Sequence, residues 1–265
     1  MRKAIITIIL LASWPHLKAG TTFTFSDNSG HKVLGRIQIN YSDMSKTHFI
    51  QSPVDRYFNL VLPENYALIK GVKLTHSGFF KSSQKGERMK IKGEQYFKTE
   101  IPEFQWTGKT KLFKAKDAYV MGRGQLKVKL LGIIPIVNAK GPHVDQAELL
   151  RWLAESIWFP TNLLPSDHLH WSAVDAHTAK LTYSYNNMDI FYIVRFDEKG
   201  LITELETERY MAKGRMEKWI GQVSDYKEFD GMLIPYHIKA LWRLEEGDFQ
   251  YVDFYVDTLK YEYEK

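Results

Sequence analysis

Between residues 69 and 121, apolar and polar side chains take turns in short runs. These are KGVKLTHSGFF, ERMKIKGEQYF, PEFQWTGKTKLF and KDAYVMG, broken by Gly71, Gly78, Gly86, Gly93 and Gly108. Successive side chains on a strand point to opposite faces, so this two-residue period predicts an antiparallel meander with one face packed and the other wet. The pattern continues through GRGQLKVKLLGIIPIVNAKG, with turns expected at Gly132 and Pro135. It resumes over residues 175–184 and 189–196 around an Asn186-Asn187 turn, and again in ITELETERY. Three further strands, WIGQVSDYKEF, GMLIPYHIKALWRL and YVDFYVDTLKYEY, are joined at Asp230-Gly231 and Glu246-Gly247.

Two segments break the period. Ser52 and Pro53 have the types favoured at a helix cap and first turn, and Val54, Tyr57, Phe58 and Val61 then share a face before Pro63. After Pro142, HVDQAELLRWLAESIWFP repeats at helical spacing and is stopped by Pro160. One stripe holds Val144, Ala147, Leu150, Ala154, Ile157 and Trp158; another holds Asp145, Glu148, Arg151 and Glu155. Periodicity leaves open which stripe is buried. The fold expected is α+β and β-rich: a large curved antiparallel sheet, a half-open β-barrel, with a helix packed on its concave face.

The N-terminus, MRKAIITIILLASWPHLKAG, sets Arg2 and Lys3 ahead of an apolar run too short to span a bilayer as a helix, then small residues at Ala19 and Gly20. A signal peptide over residues 1–19, cleaved near Ala19, is expected, with an uncleaved anchor as the alternative; Leu17 at −3 is larger than usual there. Residues 20–51, with TTFTF and GRIQINY, read as strands or an extended arm, and 52–265 as one domain. Export to the periplasm or cell envelope follows from the leader.

Without cysteine the chain has no disulfide framework, no thiolate nucleophile and no lipobox. Removing Arg2, Lys3 and Lys18 leaves 33 basic against 31 acidic side chains, too even a balance for a nucleic-acid partner. Lys109, Lys111, Lys114 and Lys116 line what reads as a solvated strand face, with anion binding as the alternative.

No G-x-S-x-G occurs, and the GRG at residues 122–124 lacks the spacing and the Lys-Ser/Thr of a phosphate loop. His168 and His170 with Asp167 are weak metal candidates without an identifiable third ligand, and no cofactor is assigned. Glu155, seven residues from Glu148 with Arg151 between, is the one candidate acid or base; a helix-surface ion-pair ladder is the plainer reading. Trp106, Tyr119, Trp171, Trp219 and Trp242 fall in strand patterns, and Trp152, Trp158 and Phe159 on or just after the long helix. Each is by itself a core residue, but together they could wall an apolar pocket.

The stretches DAYVMGRGQLKVKLLGIIPIVNAKGPHVDQAELLRWLAESIWFPTNLLP, LTYSYNNMDIFYIVRFDEKGLI and VSDYKEFDGMLIP resemble an uncharacterised bacterial family, a domain of unknown function. The resemblance covers residues 53–263, with LAESIWFPTNLLP its most specific element, and points to Asp117, Tyr119, Gly122, Gly124, Glu155, Trp158, Pro160, Tyr226, Gly231 and Pro235. It brings no activity with it. More distantly, DYKEFDGMLIP is similar to the lipoprotein-sorting proteins of the LolA type, which implies a half-open barrel wrapping a helix-lidded apolar cavity for acyl chains.

Three functions stay open. The leading one is an exported protein binding a lipid-like or other apolar ligand between sheet and helix, walled by Trp152, Trp158 and Phe159 and oriented by Glu155, Tyr119 and Arg123. The second is a hydrolase-type enzyme using Glu155, a reading the sequence leans against. The third is an envelope structural or interaction protein using its sheet edge or lysine-rich face. Peripheral membrane contact is compatible with the first and third, and oligomeric state is left open.

Overall fold

A computed structural model describes residues 22–26, 32–36 and 52–263. The expected signal peptide lies outside them. Strands β1 (Thr22–Ser26) and β2 (Lys32–Arg36) pair as an antiparallel hairpin within a unit of residues 1–50, and residues 51–265 form a second unit.

In the second unit, helix α1 (Pro53–Val61) starts as its sequence requires. Ser52 Oγ accepts from the Asp55 amide at 3.1 Å, Pro53 takes a position where no amide is needed, and Val54, Tyr57 and Val61 are buried. A meander follows: β3 (Ile69–Phe80), β4 (Met89–Lys98), β5 (Glu103–Lys109), β6 (Phe113–Val120), β7 (Arg123–Leu130) and β8 (Ile134–Lys140). Helix α2 (Pro142–Glu155) continues into 3-10 turns at Ser156–Trp158 and Pro160–Leu163. A second meander then runs through β9 (Leu169–Asp175), β10 (Thr178–Tyr185), β11 (Met188–Phe196), β12 (Ile202–Ala212), β13 (Arg215–Phe229), β14 (Met232–Leu244) and β15 (Gly247–Tyr263).

The two meanders make one open antiparallel sheet of 13 strands, β8-β7-β6-β5-β4-β3-β15-β14-β13-β12-β11-β10-β9. Its central seam pairs β3 with β15, from Val252 against Phe80 to Tyr263 against Ile69. The free edges are β8 and β9, and the chain passes between them through α2. That helix packs against β6, β7 and β8 near one edge and against β11 and β12 near the other. The sheet therefore curls around it, and the concave face is the core, as the two-residue period predicts.

Two details differ from expectation. Residues 175–184 are not one strand, because Asp175 Oδ1 accepts from the His177 amide at 2.8 Å and turns the chain between β9 and β10. Pro135 does not make a turn; it lies in β8, where the register against Lys129 shifts, and an edge strand tolerates a missing amide there. The Asn186-Asn187 turn has the expected form, with φ of 52° and 60° suited to a tight hairpin.

Candidate functional site

Helix α2 answers the question its two stripes posed, because both are buried. Leu149, Leu150, Trp152 and Leu153 are at most 1% exposed, while Asp145 and Glu148 are 4% and 5% exposed. The helix can come this close because Gly124 on β7 has no side chain: a Cβ there would stand 2.6 Å from the Val144 carbonyl oxygen. Asp145 completes the contact, accepting from the Gly124 amide at 2.7 Å and from Arg123 Nη1 at 3.1 Å.

The polar stripe meets polar residues that the strands hold on their concave face. Arg151 is the hub. Its Nη1 donates to Asp117 Oδ2 at 2.5 Å, its Nε to Glu155 Oε1 at 2.9 Å and its Nη2 to Gln95 Oε1 at 3.4 Å. Gln95 Nε2 donates in turn to Glu155 Oε2 at 2.7 Å. The guanidinium lies 4.9 Å from the Phe104 ring and 5.0 Å from the Trp106 ring, a cation–π setting with two neighbouring aromatic rings of β5. Trp106 Nε1 donates to His76 Nε2 at 2.7 Å, and His76 stacks on Phe254 at 4.2 Å. Gly93 leaves the room, since a Cβ there would fall 2.1 Å from that imidazole nitrogen.

Burial and the Arg151 charge push the His76 pKa down to about 3, so the imidazole is neutral. Burial, and then the charge of Asp117, push the Glu148 carboxyl well up. Glu148 Oε2 and Asp117 Oδ1 are both buried without a donor, and a proton on Glu148 shared with its hydrogen-bonded neighbour Asp117 satisfies the two at once. Arg209 of β12, 8% exposed and over the Trp219 ring, closes the cluster. With Glu148 neutral, two arginines balance Asp117 and Glu155.

The residues expected at the site divide between this cluster and the core. Glu155 lies in the cluster. Trp152 Nε1 donates to the Lys98 carbonyl at 2.9 Å and Trp158 Nε1 to the Pro235 carbonyl at 3.1 Å, while Phe159 packs 4.9 Å from Phe97. All three are at most 2% exposed, so side chains fill the space where the aromatic wall was expected. Tyr119 is buried too, its hydroxyl unpaired. Arg123 points outward, its side chain 77% exposed, and pins the start of α2 from outside. His168 and His170 are exposed at and just before β9, and among the described residues no group of three metal-binding side chains occurs. Two surface hollows, of about 420 and 280 Å³, lie elsewhere, over β3, β4, β15 and the turns beside them.

Sequence reasoning missed His76, Gln95 and Arg209. Each occupies the apolar phase of its strand, in line with Leu74, Phe97 and Leu205, and that misplaced polarity is the signal that could have found them.

The model of a family of unknown function, DUF6544, matches residues 52–254. Among solved structures, a domain described as an outer membrane lipoprotein-sorting protein from Vibrio parahaemolyticus is similar at 11% identity and a TM-score of 0.42, over 79% of this chain and 89% of that one. A LolA superfamily protein from Nitrosomonas europaea is similar at 9% identity and a TM-score of 0.43, over 80% and 93%. No curated protein matches the sequence.

Proposed function

Taking as premise that the chain belongs to the DUF6544 family of unknown function, we propose that it is an exported protein that binds a lipid-like or other apolar ligand between sheet and helix once α2 moves away from the sheet. The observation that carries this reading is the way α2 is held. Its polar stripe lies in the curl of an apolar sheet, and beside the Glu148–Asp117 pair two further buried polar atoms, His76 Nδ1 and Arg209 Nε, have no hydrogen-bond partner. Such atoms each cost about 1–3 kcal/mol, and a buried ion network adds little net stability, so this side of the helix is the weakly held one. Movement of α2 away from the sheet uncovers Trp152, Trp158, Phe159, Phe97 and Phe104, an aromatic wall suited to an acyl chain, with Glu155, Tyr119 and Arg151 as polar groups at its margin. Arg123 acts from outside, on the helix start.

The test is native mass spectrometry of the chain purified from its own envelope, followed by thermal melts with added fatty acids and phospholipids. A retained acyl species, or a melting temperature that rises with acyl ligand concentration, is the expected result. A clean mass with no shift overturns the carrier. The interaction-protein reading gains from one observation, the exposed aliphatic side chains of residues 131–137 at the edge of the sheet. The enzyme reading gains none, since Glu155 is tied to Arg151 and Gln95.

A further inference from the structure

Edge strand β8 and the turn before it are uncovered. Every residue from 131 to 138 is exposed, and five of the eight are aliphatic: Leu131 at 63%, Ile133 at 77%, Ile134 at 54%, Ile136 at 50% and Val137 at 38%. Ile133 with Ile134, and Ile136 with Val137, are chain neighbours, so the apolar surface faces both sides of the hairpin and not one. Leu112, 46% exposed at the turn between β5 and β6, adjoins it, its carbonyl accepting from the Leu131 amide at 2.7 Å.

Behind this tip the strands carry lysines in register. Lys92 stands opposite Lys109, Lys109 opposite Lys114, and Lys114 opposite Lys129, a row across four adjacent strands; the next row sets Lys116 against Lys127. Like charges placed directly opposite destabilise a sheet. None of these lysines has an ion-pair partner among the described residues. Residues 109–140 hold eight basic side chains against one acidic, Asp117, which faces inward to Arg151. The near-neutral total charge hides this local excess. Lys90, Lys92, Lys109 and Lys111 also line the 420 Å³ hollow, beside Ser77 and Tyr255.

We propose that the β7–β8 hairpin is a membrane-docking element: its aliphatic tip enters the interface of an anionic phospholipid bilayer while the lysine rows behind it meet the lipid phosphates. A bilayer fits because it surrounds the tip, accepting aliphatic side chains on both faces, and because its surface supplies the negative charge the rows lack within the chain. A flat protein partner would cover one face and leave the other wet. This surface is separate from the helix–sheet interior and stands whether or not that interior takes a ligand.

The experiment is co-sedimentation of the full chain with phosphatidylglycerol vesicles and with neutral phosphatidylcholine vesicles, at low and high salt. Binding to the anionic vesicles that falls with salt is expected. Lys109→Ala with Lys129→Ala weakens it about 25-fold, each lysine near an anionic surface contributing a factor of about five. Ile133→Asp with Ile136→Asp weakens it at least as much, and Val174→Asp, at an exposed position on β9, leaves it unchanged. The proposal is overturned if the chain does not bind phosphatidylglycerol vesicles, or if the lysine and the isoleucine double variants both bind as well as the parent. A dimer in solution that becomes a monomer with Ile133→Asp and Ile136→Asp also overturns it, because a second copy then covers the hairpin.

Discussion

The interior around α2 and the hairpin of β7 and β8 invert the same rule in opposite directions. Around α2, charges sit where the sheet should be apolar; on the hairpin, aliphatic side chains sit where the surface should be polar. The interior inversion is answered within the chain, Arg151 meeting Asp117, Glu155 and Gln95, and the aromatic rings closing over it. The hairpin inversion is answered by nothing in the described residues: its lysines lack acids and its isoleucines lack cover. A breach resolved inside the molecule concerns how the fold is held, and one left unresolved at the surface concerns what the molecule meets.

The contrast can be broken most directly at Arg151. Replacing it with Met leaves Asp117 buried and Glu155 half-buried without their cation, and urea denaturation should show a loss of about 3–5 kcal/mol. A loss below about 1 kcal/mol would mean that the cluster is not buried as described.

A smaller effect, and a sharper one, lies in the pH dependence of stability. His76 has its pKa lowered in the fold, so the stability it supports is full above about 6.5 and is lost as pH falls toward about 3. Glu148 has its pKa raised, so its contribution is full below about 4.5 and is lost as pH rises through the folded value. The two together put the optimum between these limbs. Glu148→Gln should abolish the loss on the alkaline side while retaining a hydrogen-bond donor to Asp117, and His76→Gln should flatten the acid limb. Melting temperatures across pH 3–9 read both, and identical profiles for the parent and the Glu148→Gln variant would remove the shared proton from the account.

The least effect on folding belongs to the hairpin. Ile133→Asp with Ile136→Asp should change unfolding free energy by no more than about 0.5 kcal/mol per site, because neither side chain is packed. A substantial loss would show that the tip is part of the fold after all, covered by the chain itself.

Much of this was legible from the residues. The two-residue period gave the sheet, Pro142 and Pro160 bracketed the long helix and its 3-10 extension, and Ser52-Pro53 marked the short one. The boundary between β9 and β10 was not legible, since a single Asp175 side chain makes that turn and the residues after it carry no glycine or proline. The helix stripes left their orientation open because a sheet that curls right around α2 buries both, and no local pattern reports curl. The Arg151 cluster was half readable: Glu148, Arg151 and Glu155 show on the helix, but their partners show only as polar residues in the apolar phase of strands, which look like errors of period until the strands are assembled. The run LLGIIPIV is plain in the sequence, but its exposure depends on β8 being the last strand of the sheet.

The seam between β3 and β15 joins the first and last strands of this unit. Each meander can form from neighbours in the chain, but their union waits for residues some 180 positions apart to meet. During synthesis the two half-sheets exist before the strand that unites them has been made, and β3 presents a bare edge to solvent throughout that interval. Loss of residues 254–263 would strip away most of that seam, so β15 acts as the clasp of the sheet.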